Sequence, residues 1–151
     1  MISVVAIGKR HEPWIVDGIK RYQERLRGPW KIEWILLPHS TYEGIRARQE
    51  ESARILAHLK PHDIVILLDE RGKNLSSEEV SLLVTSCIER AMHVVVIIGG
   101  AYGVNKELYE RAQHVWSLSR LVFPHQLVRL ILVEQLYRAQ EISLGHPYHH
   151  M

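Results

Sequence analysis

Short aliphatic runs separated by helix-length stretches constrain this chain more than any other feature. ISVVAI (2–7), IEWILL (32–37), IVILL (64–68) and VVVII (94–98) are mostly apolar throughout, without an alternating polar face. Such runs belong to strands covered on both faces, as in the middle of a parallel sheet. Between them the apolar residues change to helical spacing. Trp14, Ile15, Ile19, Tyr22 and Leu26 follow Pro13, a residue suited to a first helical turn, and Gly28-Pro29 ends that helix. Ile45, Ile55, Leu56 and Leu59 predict a helix over about 45–60, stopped by Pro61. Ser76 with Glu79 three residues on is a capping-box pair that opens a helix over about 77–90. A short helix from Asn105 or Lys106 to about Gln113, a short strand His114 to Leu118 and a last helix over 125–143 complete the pattern. The last helix carries an apolar stripe of Leu127, Val128, Ile131, Leu136, Tyr137 and Ile142. Strands alternating with helices predict an α/β fold, a mostly parallel sheet with helices on both faces. Periodicity leaves the strand order open.

The 151 residues contain no repeat, linker or low-complexity segment, so one domain over 1–151 is expected. No apolar run approaches the roughly 20 residues of a membrane span, and the first residues lack a signal-peptide pattern. A single cysteine, Cys87, excludes an internal disulfide and suits a cytoplasmic location; its apolar helical setting suggests a buried hydrophobe rather than a nucleophile. A net charge of +2 does not by itself announce a nucleic-acid binder. Its distribution says more. Residues 1–31 hold seven Lys and Arg against three acids, which is either a phosphate-facing patch or a solvated helix face.

Ligands of open parallel sheets bind beyond the carboxyl ends of the strands. Three segments fall there: LLDERGKNLSS (67–77), IIGGAYG (97–103) and SLSRLVFPHQL (117–127), each read as a loop. The glycines of IIGGAYG allow a sharp turn and close backbone approach to a ligand. GGxxG is not the dinucleotide GxGxxG, and no P-loop lysine follows, so NAD and ATP find little support. In SLSRLVFPHQL, backbone polar groups stand beside Leu118, Leu121 and Phe123, a mixture suited to a flat heterocycle or to an ordinary strand-to-helix connection. Arg129, Glu134 and Arg138 lie on the last helix, the latter two at i, i+4. The chain ends in HPYHHM (146–151), a stiff and titratable tail.

Taken in order, LLDERGKNLSSEE, IIGGAYG, SLSRLVFPHQLVR, LVEQLYRAQEI and HPYHH resemble the RlmH family of ribosomal RNA methyltransferases, a branch of the SPOUT superfamily. The N-terminal VAIGKRHEPWIVDGIKRYQERL is similar to the family's opening, so the resemblance covers essentially the whole chain. It implies an α/β sheet with a deep C-terminal trefoil knot, a homodimer, and S-adenosylmethionine bent in the knotted loops. The implied reaction is methylation of N3 of a pseudouridine in 23S ribosomal RNA, on assembled ribosomes. Position by position, it implies that Leu68 lines an adenosine pocket, that Gly100 and Gly103 approach the cofactor, and that Ser119, Arg120, Leu121, Val122, Phe123 and Pro124 wrap the adenine. It assigns His146, Tyr148 and His149 to the substrate side. His149 is the first candidate for the base that removes the imide proton, His146 the second, and Tyr148 stacks on or orients the base. Arg129, Arg138, Lys9, Arg10, Arg21 and Arg25 are the candidates for RNA phosphate. Two positions depart from the family pattern: His150 stands where a Lys or Arg is common, and Val80 where an aromatic is common. The competing readings are a non-catalytic ribosome- or RNA-binding module and a metal-dependent hydrolase using His146, His149 and His150.

Overall fold

The computed structural model describes residues 1–150. The chain runs β1 (Ile2–Ile7), α1 (Pro13–Gln23), a 3-10 turn (Gly28–Trp30), β2 (Ile32–Leu37), α2 (Gly44–Leu56), β3 (Ile64–Asn74), α3 (Ser77–Glu89), β4 (Val94–Ile98), α4 (Lys106–Arg111), β5 (His114–Ser117) and α5 (His125–Ser143). All four strand pairings are parallel, in the order β2-β1-β4-β3-β5.

Successive side chains of a strand point to opposite faces, and here both faces are covered. Ile2, Val4 and Ala6 of β1 face a core shared with Ile15 and Ile19 of α1, Val84 of α3, and Leu132 and Leu136 of α5. Val5 and Ile7 face the other way, into a core with Ile55 of α2 and Leu108 of α4. Neither face of β1 can then carry polar residues in alternation, which is why the aliphatic runs are continuous. The helices divide accordingly: α1, α3 and α5 on one face, α2 and α4 on the other. At the start of α3, Ser76 Oγ accepts from the Glu79 N–H while the Glu79 carboxylate accepts from the Ser76 N–H, as the capping-box pair predicts.

One segment departs from its reading. LLDERGKNLSS is not all loop, because β3 continues to Asn74. Its pairing with β5 is interrupted between Leu68 and Lys73, both of which register with Trp116. The intervening residues bulge outward, and an irregular strand rich in charged residues has the composition of a loop. Gly72 permits the pairing to resume, since a β-carbon there would lie 2.4 Å from the Val115 carbonyl oxygen. Helices α1 and α2 also stop a few residues earlier than their apolar spacing suggests.

A candidate cofactor site at the carboxyl edge of the sheet

A cavity of about 490 Å³ opens beyond the carboxyl ends of β3, β4 and β5. All three segments singled out in the sequence reach it. Leu68, Asp69, Glu70 and Arg71 come from β3; Gly99 to Val104 from the turn after β4; Ser117, Leu118, Ser119, Leu121, Val122 and Phe123 from the turn after β5. His125 and Val128 close it from the start of α5, and Arg48 enters from α2 on the opposite face of the sheet. Of the residues expected around the cofactor, Arg120 and Pro124 lie outside this lining. Arg120 is exposed, and Pro124 is the N-cap of α5, its carbonyl accepting from the Val128 N–H at 3.0 Å.

The turns are braced by their own sequence. Ser117 Oγ donates to the Ser119 carbonyl at 2.9 Å, and the Leu121 N–H donates to Ser119 Oγ at 3.0 Å. Leu121 and Val122 consequently stand out from the surface, 69% and 80% exposed at the cavity rim. Gly103 adopts a left-handed φ of 75° and its N–H donates to the Gly100 carbonyl at 3.1 Å. Asp69 is tied by Arg71 through paired bonds of 2.9 Å. Burial would raise the Asp69 carboxyl, but the Arg71 side chain and backbone N–H hold it below its ordinary value.

Helix α2 clasps the glycine turn. Arg48 Nε donates to the Tyr102 carbonyl at 2.8 Å, Asn105 Nδ2 donates to Gln49 Oε1 at 2.7 Å, and the Asn105 N–H donates to Ser52 Oγ at 2.9 Å. Glu51, 3% exposed, accepts from the Ser40 N–H through Oε2. Its Oε1 is buried without a partner among the described residues and lies against Gly100, where a β-carbon would come within 2.4 Å of it. Sequence reading missed all four α2 residues. Polar side chains on a polar helix read as a solvated face, and only the burial of Glu51 and Ser52 shows otherwise.

Arg129 does not stand where a phosphate contact was expected. It is 1% exposed, and Nη2 donates to the carbonyls of Ile7 and Gly8, each at 3.0 Å, while Nη1 donates to the Arg10 carbonyl at 3.0 Å. Its guanidinium thus satisfies the carbonyls that β1 leaves open as it exits the sheet. Gly8, at φ 116°, leaves the room; a β-carbon there would meet Arg129 Nη2 at 2.9 Å. Burial and the Arg129 charge lower the basicity of His125, with His39 adding to the effect. Arg10, Arg21 and Arg25 are exposed, as is Lys9.

The tail is ordered, but away from this cavity. Tyr148 Oη donates to Glu134 Oε1 at 3.1 Å and the ring packs edge-on against Tyr137 at 4.8 Å. Arg138 lies over the Tyr148 ring and is paired to Glu134. His149 bonds to Arg138 and to Glu78 of α3, and His146 to Glu141. Val128 lines the cavity, whereas Arg138 is ten residues on, about 15 Å along the helix. Tyr148 and His149 therefore gather with Glu134 and Arg138, and His146 turns to Glu141, all separate from the cavity-lining residues of the same chain. The tail histidines turn to different partners, so this arrangement lends no weight to the hydrolase reading.

Fold and cavity define the class: an α/β protein with a parallel sheet and a cavity of small-molecule size at its carboxyl edge. The chain belongs to the SPOUT methyltransferase family: the family described as "Predicted SPOUT methyltransferase" matches residues 1–149. Ribosomal RNA large subunit methyltransferase H of Acetivibrio thermocellus is 39% identical, across 98% of each chain. The protein of the same description from Desulfitobacterium hafniense is also 39% identical at the same coverage. Among solved structures, TrmJ of Z. mobilis shares the fold, with a TM-score of 0.52 at 10% identity, over 93% of this chain and 70% of that one.

Proposed function

We propose that this chain transfers a methyl group from S-adenosylmethionine to N3 of a pseudouridine in 23S ribosomal RNA, acting in the cytoplasm on assembled ribosomes. The observation that carries the reading is the glycine-floored cavity built by the three segments that resemble the family's cofactor loops. Its residues fit the cofactor. Leu68, Leu118, Leu121 and Phe123 offer apolar cover for a flat ring, the glycine turn admits close backbone approach, and 490 Å³ lies within the usual range for small-molecule sites. When bound, the cofactor supplies a methyl group made electrophilic by its sulfonium. What the chain must add is alignment, worth about 7–11 kcal/mol in well-oriented reactions, and a base for the imide proton, worth about 10²–10⁴-fold.

The separation of tail and cavity within one chain supports a site completed by a second copy. In this reading the protein is a homodimer, and the tail cluster of one subunit faces the cavity of its partner. The exposed Leu121 and Val122 at the cavity rim favour such a cover. The deep trefoil knot belongs to the same reading, in which α5, packed on α1 and α3, is the threaded segment.

Within the tail, geometry favours His146 over His149 as the base. The Glu141 carboxylate can only accept, so His146 Nδ1–H donates to it, and Nε2 is left without a partner among the described residues. Both nitrogens of His149 are engaged, so its base role requires release from Arg138. Single-turnover methylation separates them: His146→Ala should lose about 10²-fold or more, with His149→Ala losing less.

The overall reading is tested by calorimetry with S-adenosylmethionine and by mass-spectrometric mapping of ribosomal RNA from cells lacking the protein. Binding together with one missing methyl group is expected. Absence of cofactor binding would favour the RNA-binding module instead.

A further inference from the structure

We propose that Arg48 anchors the α-carboxylate at the amino-acid end of the sulfonium cofactor. This rests on the function proposed above and assigns a binding role to α2, the helix on the far side of the glycine turn.

Three cations reach the cavity or its lining: Arg48, Arg71 and, when protonated, His125. Arg71 is committed. Its guanidinium is paired to Asp69 through Nε and Nη2 and lies 4.4 Å over the Tyr109 ring. His125 is held toward its neutral form by burial and by the Arg129 charge. Arg48 differs from both. Its Nε–H is spent on the Tyr102 carbonyl, which aims the side chain into the cavity, and its two terminal nitrogens have no hydrogen-bond or ion-pair partner among the described residues. A guanidinium held by one edge and open at the other presents the two-pronged donor that suits a carboxylate.

The rest of the lining agrees with this polarity. The apolar wall of Leu118, Leu121 and Phe123 comes from the turn after β5, while Arg48 enters from the opposite face of the sheet. With Asp69 neutralised by Arg71, Glu70 is the exposed acid of the lining without a partner among the described residues. One open cation and one open anion complement the two charges of a free amino-acid end. The glycine turn does not depend on Arg48 alone, because Gln49 and Ser52 hold Asn105 independently. Removing the guanidinium therefore tests ligand contact more than loop integrity.

The test is calorimetry on the full-length protein with S-adenosylmethionine, decarboxylated S-adenosylmethionine and 5′-methylthioadenosine, comparing wild type, Arg48→Met and Arg48→Lys. Arg48→Met should weaken S-adenosylmethionine about 10- to 100-fold while changing the two ligands without a carboxylate by less than about twofold. Arg48→Lys should recover part of the loss, since it keeps the charge but not the fork. Wild type should itself bind decarboxylated cofactor more weakly by a similar factor, a comparison that stands even if a variant fails to fold. Equal weakening of all three ligands by Arg48→Met would make Arg48 a loop brace and overturn the proposal, as would unchanged affinity. If wild type binds none of the three, the cofactor reading itself falls and this inference with it.

Discussion

His149 Nδ1 lies 3.0 Å from Arg138 Nη1, and its Nε2 lies 2.8 Å from Glu78 Oε1. A guanidinium only donates and a carboxylate only accepts, so this ring accepts on one side and donates on the other, bridging α5 to α3. The bridge ties the tail to its own chain. Glu78→Ala should free it, leaving the fold intact while residues 145–150 exchange amide protons faster and become sensitive to proteases. Unchanged protection of those residues would show that the contacts to Glu134, Arg138 and Glu141 fasten the tail without Glu78.

Tyr148 gives the tail a pH limit. Burial first, and then the neighbouring Glu134 charge, push its hydroxyl up to about 12. A group whose acidity is weakened by folding stabilises the folded form below its unfolded value, near 10, and loses that contribution as pH rises through the folded one. The docked tail should therefore persist to about pH 10 and release between about 10 and 12. Difference absorbance at 295 nm in wild type and Tyr148→Phe reads this ionisation directly; a Tyr148 titrating near 10 would mean that the tail is not docked on Glu134.

Gly100 and Glu51 are coupled through space rather than through a bond. A β-carbon at position 100 would meet both Glu51 Oε1 and, at 3.3 Å, the Ile7 side chain. Gly100→Ala should cost about 1–3 kcal/mol in urea unfolding and weaken cofactor binding. Adding Glu51→Ala should return part of the stability, with a coupling of about 0.5–3 kcal/mol between the two sites. Strict additivity would separate the glycine requirement from Glu51.

What could be read from the sequence followed the periodicities. The expected strands and helices rest on apolar spacing, breakers and one capping box, and those signals are local. β3 beyond Leu68 escaped because an irregular strand at the sheet's outer side carries Asp69, Glu70, Arg71 and Lys73, the composition of a loop. Strand order escaped because registers such as Val4 with Trp34 and Val96 join residues far apart in the chain. The segments that line the cavity were legible as glycine and mixed-polarity turns after strands. Arg129 was not, since an arginine on a helix looks alike in sequence whether it meets water or buried carbonyls. The tail's partners were hidden too: Glu134 and Arg138 pair as their i, i+4 spacing suggests, but nothing in that spacing or in HPYHHM points to Tyr148, His149 or Glu78 meeting there.

At the opposite edge of the sheet, Ser3 Oγ, His93 and Asp63 form a hydrogen-bonded chain with both links at 2.9 Å. The connectivity is that of a nucleophile relay, but Ser3 is 3% exposed and paired in β1 between β2 and β4, the setting of a structural tie. The chain joins the entry ends of β1, β3 and β4. Burial would raise the Asp63 carboxyl, yet the Lys60 N–H and His93 bring it below its ordinary value of 3.8. Its stabilisation is then present above that value and lost as pH falls through the lowered one. His93→Gln should lower the urea midpoint at neutral pH and flatten its decline on acidification, without altering cofactor affinity. A parallel acid limb in wild type and variant would remove Asp63 from this role.

Two sets of basic residues should separate cleanly in experiment. Arg129 bonds to three backbone carbonyls in a buried position, so Arg129→Met should destabilise the fold by about 2–4 kcal/mol. Lys9, Arg10, Arg21 and Arg25 are exposed near the N-terminus, with Arg25 over the Tyr137 ring at 5.9 Å, close to the tail cluster. Replacing these four with Ala should leave thermal stability and cofactor affinity nearly unchanged. RNA binding should weaken, and its dependence on log salt should flatten by about 0.7–0.9 for each phosphate that the variant no longer neutralises. If instead the quadruple variant keeps the wild-type salt slope, the basic N-terminal region is a solvated helix face and the RNA path lies elsewhere on the surface.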